Sequence, residues 1–588
     1  MIIRPLTIIW WDGGHIEECR DRHALRSPQC IGTLTATVFQ AGPWIVAFGV
    51  RPSNTQKSTL GFEQNRGFPH RSIEGIGAFL SWRAFTPVLN QTYAPMTGTT
   101  TIEKGHPQGL YWLFAAEMWE RFCYYGMRAL LLLYLVKSLA MGDNKGFAVY
   151  GAYTALVYVM PVIGGRIADQ VLGSRLAVLF GGLMMAIGEF LIVGGTEMLL
   201  FWGMAVIIVG NGLFKPNIST MVGKLYADGD PRKDSGFTIF YIGINLGALL
   251  ATTVCAEVGN IYGAKYGFAL AGIGMLLGIV VFQMGSKHYE HVSAPPSPDT
   301  LYKPKYGPLS PFIAVVLGCF ALIPLLYFLL RNTTIAGYVL LAVAVYVIGS
   351  LIARGVKDGK VQLDKMFGFI ILMLFNVVFW ACFEQAGSSL TLFAERNVDR
   401  HIFGWEMGAA TTQFFNPAYI LLFGSIFSVM WVRLKMMGKD PSIPMKFGLG
   451  ILQLGLGYMV VQLAAPMAIE YQVPLWTLAL LYMLHTTGEL FLSPIGLSMV
   501  TKLVPKDMTA TAMGAWFLSI AGANYAAGLL ATLTGAEHEL AEGEVLDKAA
   551  SLATYVDVYT NIGFVTVGIG LFLMVISPLV NKLFHGIR

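Results

Sequence analysis

Long apolar runs alternate with short polar connections from Gly109 to the end of the chain. A helix needs roughly 20 mostly apolar residues to cross a bilayer, and about 14 of the runs reach that length. Their centres lie near residues 123, 158, 185, 210, 246, 276, 320, 344, 378, 420, 455, 487, 521 and 567. The pattern predicts an all-α polytopic membrane protein with about 14 transmembrane helices.

The composition agrees with burial in lipid. Hydrophobic residues fill 55% of the 588 positions and charged residues 13%, whereas soluble domains carry about 25% charged residues. The net charge of +5 does not indicate a nucleic-acid partner, because the distribution of Lys and Arg matters more than their total in a membrane protein. The cysteines lack metal-ligand spacing, so we expect no metal site. Four of them lie in apolar runs and are expected to be buried: Cys123, Cys255, Cys319 and Cys382.

The segment of residues 1–95 differs from the rest of the chain. It mixes Arg, His, Trp and Pro without a clear period, and it lacks the ordered regions of a signal peptide. Met96 is followed by a short polar lead-in to the first long apolar run. We therefore expect residues 1–95 to be an extension that is either disordered or the result of a start codon assigned too far upstream.

The remaining chain divides at a linker rich in Pro and Ser, KHYEHVSAPPSPDTLYKPKYGP. Six apolar runs precede it, and eight follow. This order predicts a six-helix bundle at residues 105–290, an extra helical pair at 291–360 and a second six-helix bundle at 361–588. Paired halves with a site between them are typical of transporters. With the residues before Gly109 in the cytoplasm, the cytoplasmic connections carry roughly 20 Lys and Arg and the opposite ones about 7.

The first apolar run carries a stripe of charged and aromatic residues. Its members fall on one face of a helix, while the opposite face is apolar: Glu117, Glu120, Arg121, Tyr124, Tyr125 and Arg128. A charge facing lipid is costly, so the stripe is expected to face the bundle interior or a wet cavity. The alternative is that these side chains reach the membrane surface from a helix end, but Glu117 lies well inside the run.

The sequence EMWERFCYYG resembles the ExxERFxYYG motif of the proton-dependent oligopeptide transporters, in the major facilitator superfamily. VIGGRIADQVLGSR resembles the loop between the superfamily's second and third helices, where Asp169 and Arg175 would connect cytoplasmic helix ends. GNGLFKPNIS and FTIFYIGINLGAL resemble the family's fourth and fifth helices. The resemblance covers roughly residues 105–588 and implies the major facilitator superfamily fold.

Three further charges interrupt apolar runs and are therefore candidate site residues. Lys215 lies in FKPN of the fourth run, and is either at the membrane surface or paired inside. Glu384 and Glu489 lie in the second half, in FWACFEQAGSSL and HTTGELFLSPIGLS. The first half thus supplies cations, with Arg128 and Lys215, and the second supplies anions. This asymmetry suits a zwitterionic ligand.

The resemblance implies how a peptide would be held. Arg128 and Lys215 would bind its carboxylate, and Glu489 its amino group. Asn245 and Asn416 would assist as hydrogen-bonding partners, although Asn416 precedes a proline and could instead cap backbone carbonyls. Four aromatic residues match pocket positions of the family, with ordinary helix packing as the alternative for each: Tyr124, Tyr125, Tyr158 and Trp516.

We further hypothesise that two gating ion pairs form between the halves, Arg128 with Glu384 on the outer side and Lys215 with Glu489 on the inner side. Protonation of Glu384 would release Arg128, and coupling would also involve three residues of the first helix: Glu117, Glu120 and Arg121. His485 lies four residues before Glu489. We interpret it as a packed, hydrogen-bonded histidine rather than a proton relay.

The function implied is import of di- and tripeptides with protons by alternating access, and we expect the protein to be monomeric and without cofactors. The short connection at residues 466–474 resembles bacterial members, which implies a cytoplasmic (inner) membrane location. Two alternatives stay open: a transporter of nitrate or another small anion, and a transport-dead receptor. An enzyme is not expected, because the chain shows no HExxH, GxSxG or paired Cys/His motif.

Overall fold

The structure is a computed structural model. It describes residues 8–12, 15–19, 39–41, 44–46, 105–227, 229–535 and 547–587. Two compact units divide at Thr99 and Thr100. In the first, β1 (Ile8–Asp12) pairs with β2 (His15–Cys19) and β3 (Phe39–Ala41) with β4 (Trp44–Val46), both antiparallel. We expect residues 1–95 to be disordered or to follow from a wrongly assigned start. Most of these residues lie outside the described part of the chain.

The second unit begins with a set of long helices that pack on one another. They are α1 (Gln108–Leu133), α2 (Asp143–Ile167), α3 (Gly173–Val193), α4 (Glu197–Lys224), α5 (Lys233–Leu250), α6 (Ala256–Tyr262) and α7 (Ala264–Met284). Helix α1 packs on α5 and α7, α2 packs on α4, and α3 packs on α4 and α7. A π-helical turn at Ala251–Cys255 joins α5 to α6, so these two helices form one continuous helical segment. We call this set the first bundle.

A linker with short helical turns precedes an additional helical pair. Its elements are a 3-10 turn at Ser286–His288, α8 (Glu290–Ser293), α9 (Pro298–Leu301), α10 (Pro311–Arg331) and α11 (Thr333–Asp358). Ser310 caps α10 by accepting a hydrogen bond from the Ile313 amide at 3.3 Å, and Pro311 suits the first helical position. Helix α10 packs on α4, and α11 packs on α12 (Lys360–Phe383).

The rest of the chain forms the second bundle. After α12 come a 3-10 turn at Glu384–Gly387, α13 (Ser389–Asn397), β5 (Val398–Asp399), β6 (His401–Ile402), β7 (Trp405–Glu406), α14 (Phe415–Met436), α15 (Ile443–Ala464), β8 (Val473–Pro474), α16 (Trp476–Leu503), α17 (Thr509–Ala531) and α18 (Lys548–Leu583). Helix α15 packs on α16 and α18, α12 on α17, and α14 on α16. The two bundles meet where α2 packs on α17 and α5 on α14.

Glycine brings the helices of the first bundle unusually close. A Cβ placed on Gly164 of α2 would lie 2.0 Å from the carbonyl oxygen of Gly212 on α4, and one on Gly181 of α3 would lie 2.5 Å from that of Gly210. Apolar burial does not drive helices together in lipid, so close backbone approach through small residues supplies the packing energy. These contacts fix α4, and with it Lys215, against α2 and α3.

The predicted all-α membrane architecture is confirmed. Each of the fourteen predicted centres falls inside a helix, and eleven helical segments of the described residues are long and apolar enough to span a bilayer. One of the eleven, residues 143–193, contains both α2 and α3. The number of membrane crossings stays a prediction. Within the apolar windows, 28% of α10 and 17% of α11 is buried, against 78% of α4, so the extra pair lies at the edge of the helical assembly.

Candidate functional site

The charged stripe of α1 lies inside the first bundle. Glu117, Glu120 and Arg121 are each at most 2% exposed. The Arg121 Nε lies 3.1 Å from the Glu117 carboxylate and is also paired with Glu120. Asn211 of α4 donates a hydrogen bond to Glu120 at 3.0 Å. A single guanidinium therefore serves two carboxylates, and the side chains do not extend to the membrane surface.

Arg128 lies about two turns beyond Arg121 on α1 and connects the two bundles. Its guanidinium forms an ion pair with Glu384, at the end of α12, and both groups are buried. The Arg128 Nε also donates a hydrogen bond to the Tyr150 hydroxyl of α2 at 2.7 Å. The predicted outer pair is thus formed in this conformation, with a tyrosine as an additional partner.

Lys215 of α4 is the second cation of the site. Its ammonium lies 4.4 Å from the centre of the Tyr158 ring, close enough for a cation–π interaction. Among the described residues no carboxylate comes within 4.0 Å of the Lys215 nitrogen, so the predicted pair with Glu489 is not made in this conformation. Glu489 instead accepts a hydrogen bond from Asn416 at 3.1 Å.

The two asparagines implied by the resemblance differ in their contacts. Asn416 of α14 donates to both Glu489 and Thr486 of α16, at 3.1 and 3.0 Å, and so orients the carboxylate. Asn245 of α5 donates to the Tyr241 carbonyl of its own helix at 3.0 Å. The structure therefore connects Asn416 to the predicted anionic end, and it shows no such contact for Asn245 within the described part of the chain.

The four predicted aromatic residues divide into two groups. Tyr124 and Tyr125 of α1 contact each other edge to face at 5.3 Å, and Tyr158 lies under Lys215. Trp516 of α17 stacks on Phe369 of α12 at 6.2 Å. The tyrosines lie among the charges of the first bundle, whereas the described ring contact of Trp516 is with the second bundle.

The histidine and the loop motif make local contacts. His485 is 1% exposed, and its ring centre lies 4.8 Å from that of Tyr458. Its Nε2 has no hydrogen-bond partner among the described residues. Arg175 reaches Glu290 of α8 at 3.6 Å, while Asp169 is exposed. Arg175 thus connects α3 with the linker, without a described ion pair to Asp169.

Sequence reasoning missed several residues that join the bundles at the end of α1 where Arg128 lies. Arg396 of α13 makes two hydrogen bonds to Asp143 at the start of α2, at 2.6 and 2.8 Å. Glu257 of α6 accepts from the Gly408 amide at 3.1 Å and from the Thr411 hydroxyl at 2.7 Å. Asp143 and Glu257 lie near helix ends. Charged residues are common there, so the sequence did not indicate that these two bind the other bundle.

The described residues bring no group of three or more His, Cys, Asp or Glu together in a way that could hold a metal ion. The site is instead a set of opposite charges on two helical bundles embedded in lipid, which is the architecture of a membrane transporter.

The comparisons with known proteins identify which transporters the chain belongs with. A family model described as the POT family matches residues 175–545. The chain is 35% identical over 496 residues to the uncharacterized transporter YclF of Bacillus subtilis, covering 82% of this chain and 96% of that protein. It is 32% identical over 483 residues to the dipeptide and tripeptide permease B of Xenorhabdus bovienii, covering 81% and 96%.

Solved structures agree with these matches. Peptide transporter POT in complex with sulfate has 33% identity and a TM-score of 0.70, covering 82% of this chain and 96% of that one. A POT family transporter in complex with 5-aminolevulinic acid has 31% identity and a TM-score of 0.68, covering 81% and 98%. The chain belongs to the POT family, and the resemblance found in its motifs is confirmed.

Proposed function

We propose that this protein imports di- and tripeptides together with protons by alternating access. The relatives named dipeptide and tripeptide permease support the substrate class. The observation that carries the proposal is the division of charge across the site. Arg128 and Lys215 belong to the first bundle, and Glu384 and Glu489 belong to the second. A zwitterionic peptide can bridge such a site with its two termini, whatever its side chains are.

Lys215 and Glu489 are the residues available to a peptide in this conformation. The Lys215 ammonium lies against the Tyr158 ring without an ion pair among the described residues, and the Glu489 carboxylate is oriented by Asn416. Arg128 is occupied by Glu384. A peptide would therefore place its carboxylate at Lys215 and its amino group at Glu489, and Arg128 would join when the outer pair separates. Tyr124, Tyr125 and Trp516 are proposed to line the space for side chains, and Asn245 to bond the backbone.

Glu384 is proposed as the group through which a proton opens the outer side. Its ion pair with Arg128 is buried and joins α1 to the end of α12. Protonation removes the negative charge, and a buried guanidinium then gains more from another anion than from a neutral acid. A peptide carboxylate is that anion. Apart from Arg128, which pairs with Glu384, the charged stripe has two carboxylates, Glu117 and Glu120, and one guanidinium, Arg121. The charges of these three groups balance only while a second cation is near, so their protonation would depend on the position of Lys215.

Three ion pairs between the bundles in the described residues support a conformation closed at the outer end. Besides Arg128 with Glu384, Arg396 pairs with Asp143, and Lys137 pairs with Glu395. All three join the end of α1 or the start of α2 to residues 384–396. By the distribution of Lys and Arg, this is the outer end.

We further propose that the protein acts as a monomer in a bacterial cytoplasmic membrane, with the proton as its coupling ion and without a cofactor or catalytic activity. The relatives named above are bacterial, and the cytoplasmic connections are rich in Lys and Arg.

Uptake into proteoliposomes tests the proposal. Labelled dialanine should accumulate when the outside is acidic and the inside neutral, and an uncoupler should abolish accumulation. Unlabelled dipeptides of varied side chains should compete, whereas nitrate and free alanine should not. Competition by nitrate without competition by dipeptides would favour the small-anion alternative. A reconstituted protein that binds dialanine but never accumulates it would be a receptor instead.

The outer gate has its own test. Glu384→Gln should remove the charge that holds Arg128 and abolish accumulation against a gradient, while exchange of labelled for unlabelled dialanine persists. If Glu384→Gln accumulated dialanine as well as the unchanged protein, the gating role of this pair would be wrong.

A further inference from the structure

A third carboxyl group is buried in the first bundle and takes no part in the mechanism above. Glu189 lies on α3 and is 0% exposed. The thiol of Cys123, on α1, donates to one of its oxygens at 3.6 Å. A Cβ on Gly272 of α7 would lie 3.1 Å from the Glu189 Cβ. The carboxyl group is therefore enclosed by helices and does not face lipid.

Several buried polar atoms of the first bundle, among them one oxygen of Glu189, are incompletely bonded. The second Glu189 oxygen, the Tyr153 hydroxyl and the Asn211 carbonyl oxygen have no hydrogen-bond partner among the described residues, and the same holds for the Tyr124 hydroxyl. Buried polar groups are normally satisfied by protein or by ordered water. These atoms belong to α1, α2, α3 and α4 of the first bundle, and Cys123 interacts both with Glu189 and with Glu120 of the charged stripe.

The groups that face Glu189 leave its charge uncompensated. They are Cys123 of α1, Tyr153 of α2 and Cys255 of the π-helical turn, and Cys123 also interacts with Glu120. No Lys, Arg or His of the described residues lies within 4.0 Å of the Glu189 carboxyl group. An unpaired carboxylate at this depth is strongly unfavourable, and such a group takes up a proton instead of remaining charged.

Charge counting leads to the same result. The interior of the first bundle holds three carboxyl groups, Glu117, Glu120 and Glu189, and the two cations that act on the stripe, Arg121 and Lys215. One bound proton makes this set neutral. Because Arg121 is paired with both stripe carboxylates, the proton belongs on Glu189 in this conformation.

We propose that Glu189 is a proton-binding site of the transport cycle, loaded in this conformation and connected to the charged stripe through Cys123. The inference rests on the proposed transport function. When Lys215 moves to a peptide carboxylate or to Glu489, the stripe loses a cation, and the proton balance of the whole set changes. Glu189 is then a second proton-binding site besides Glu384, and proton coupling depends on residues of both bundles.

The test compares dialanine uptake in proteoliposomes over external pH 5 to 8 for the unchanged protein, Glu189→Gln and Glu189→Asp. Gln mimics the protonated acid, so pH-driven accumulation should fall about tenfold while dialanine exchange persists. Asp keeps a titrating group and should restore accumulation with a shifted pH profile. Glu197→Gln removes a carboxyl group of the same bundle that is 39% exposed, and this matched control should leave the profile unchanged.

A second readout does not depend on transport. The infrared spectrum of the purified protein should contain a protonated carboxylic acid band that Glu189→Gln removes and Glu197→Gln leaves. If Glu189→Gln has the pH profile of the unchanged protein, Glu189 is a static neutral group, and the inference is wrong while the proposed function stands. If Gln prevents folding, an unshifted profile in Glu189→Asp overturns the inference equally. Failure of the unchanged protein to transport dialanine would contradict the proposed function instead.

Discussion

At the scale of single residues, the site depends on neutral side chains that hold charged ones in place. Tyr150 binds Arg128, Asn211 binds Glu120, and Asn416 binds Glu489, each at 2.7 to 3.1 Å. A hydrogen bond to a charged group contributes about 1.5 to 3 kcal/mol when it is buried. These neutral partners therefore affect which of the possible ion pairs forms, and they provide direct tests of the mechanism.

Tyr150→Phe should weaken peptide transport without unfolding the protein. The change leaves the Arg128 Nε without its described partner and frees the guanidinium to reorient, so we expect dialanine uptake to fall roughly tenfold, equivalent to about 1.4 kcal/mol. Tyr134→Phe removes a hydroxyl from the same bundle, where the ring packs edge to face on Phe268 at 5.2 Å, and is the matched control. Equal uptake by the two variants would show that Tyr150 does not position Arg128.

Glu489→Gln should weaken transport of peptides that carry a free, charged amino terminus. The carboxylate faces the position proposed for the ammonium group, and its loss should raise the KM for dialanine at least tenfold, on the order of 1.5 kcal/mol or more. N-acetylated dialanine has no such charge, so the ratio of its KM to that of dialanine should shrink in the variant. An unchanged ratio would place the amino group elsewhere. Competition against labelled dialanine gives both values.

The candidate site was partly predictable from the sequence because charges in apolar runs are rare and therefore conspicuous. Glu384 and Glu489 were found in that way, and Arg128 with Glu384 is paired as expected. The role of Tyr150 was not predicted, because a tyrosine in a spanning helix usually only packs against its neighbours and the sequence does not show its hydrogen-bond partner. Glu189 also interrupts an apolar run, and the same criterion could have found it.

At the scale of elements, close helix contacts decide which movements are possible. Helices α2 and α17 belong to different bundles and touch at glycine: a Cβ on Gly151 would lie 2.8 Å from the Gly528 Cα. The positions of the helices were predictable, since each apolar run became a helix. Their pairing was not, because one apolar face resembles another, and small residues mark a close contact without identifying its partner.

Gly151→Val should prevent the outer ends of α2 and α17 from closing. A larger side chain must push the two backbones apart, and the ion pairs nearby depend on that separation. We expect the protein to reach the membrane but to accumulate dialanine at least tenfold less, a loss of about 1.4 kcal/mol or more. Gly318→Val adds the same side chain to α10, where nothing lies within 4 Å, and should transport normally. Similar uptake by the two variants would contradict a movement at this contact.

At the scale of the whole molecule, polar contacts between the two bundles add to the packing of α2 on α17 and of α5 on α14. The three ion pairs between the bundles come from segments more than 250 residues apart in sequence, such as Asp143 and Arg396, separated by 253 positions. Sequence patterns report mainly on each bundle by itself, so the charged stripe and the helix order were predictable while the pair of Asp143 and Arg396 was not. The inner pair of Lys215 and Glu489 stays a prediction for another conformation.

The Asp143 and Arg396 pair offers a test of alternating access that does not involve the peptide site. The side chains are 6% and 13% exposed and bond at 2.6 and 2.8 Å, and removing one partner of such a buried pair costs about 3 to 5 kcal/mol. Asp143→Arg or Arg396→Asp alone should destabilise the outer-closed conformation by repulsion and reduce dialanine accumulation strongly. The double reversal restores the attraction and should recover at least half of the uptake.

Lys137→Ala is the control for this charge reversal, because Lys137 is 58% exposed in its pair with Glu395 and exposed pairs contribute about 0 to 1 kcal/mol. Uptake by that variant should stay within about twofold of the unchanged protein. If the single reversals transported dialanine normally, or if the double reversal recovered no uptake, the pair of Asp143 and Arg396 would not hold the outer end closed.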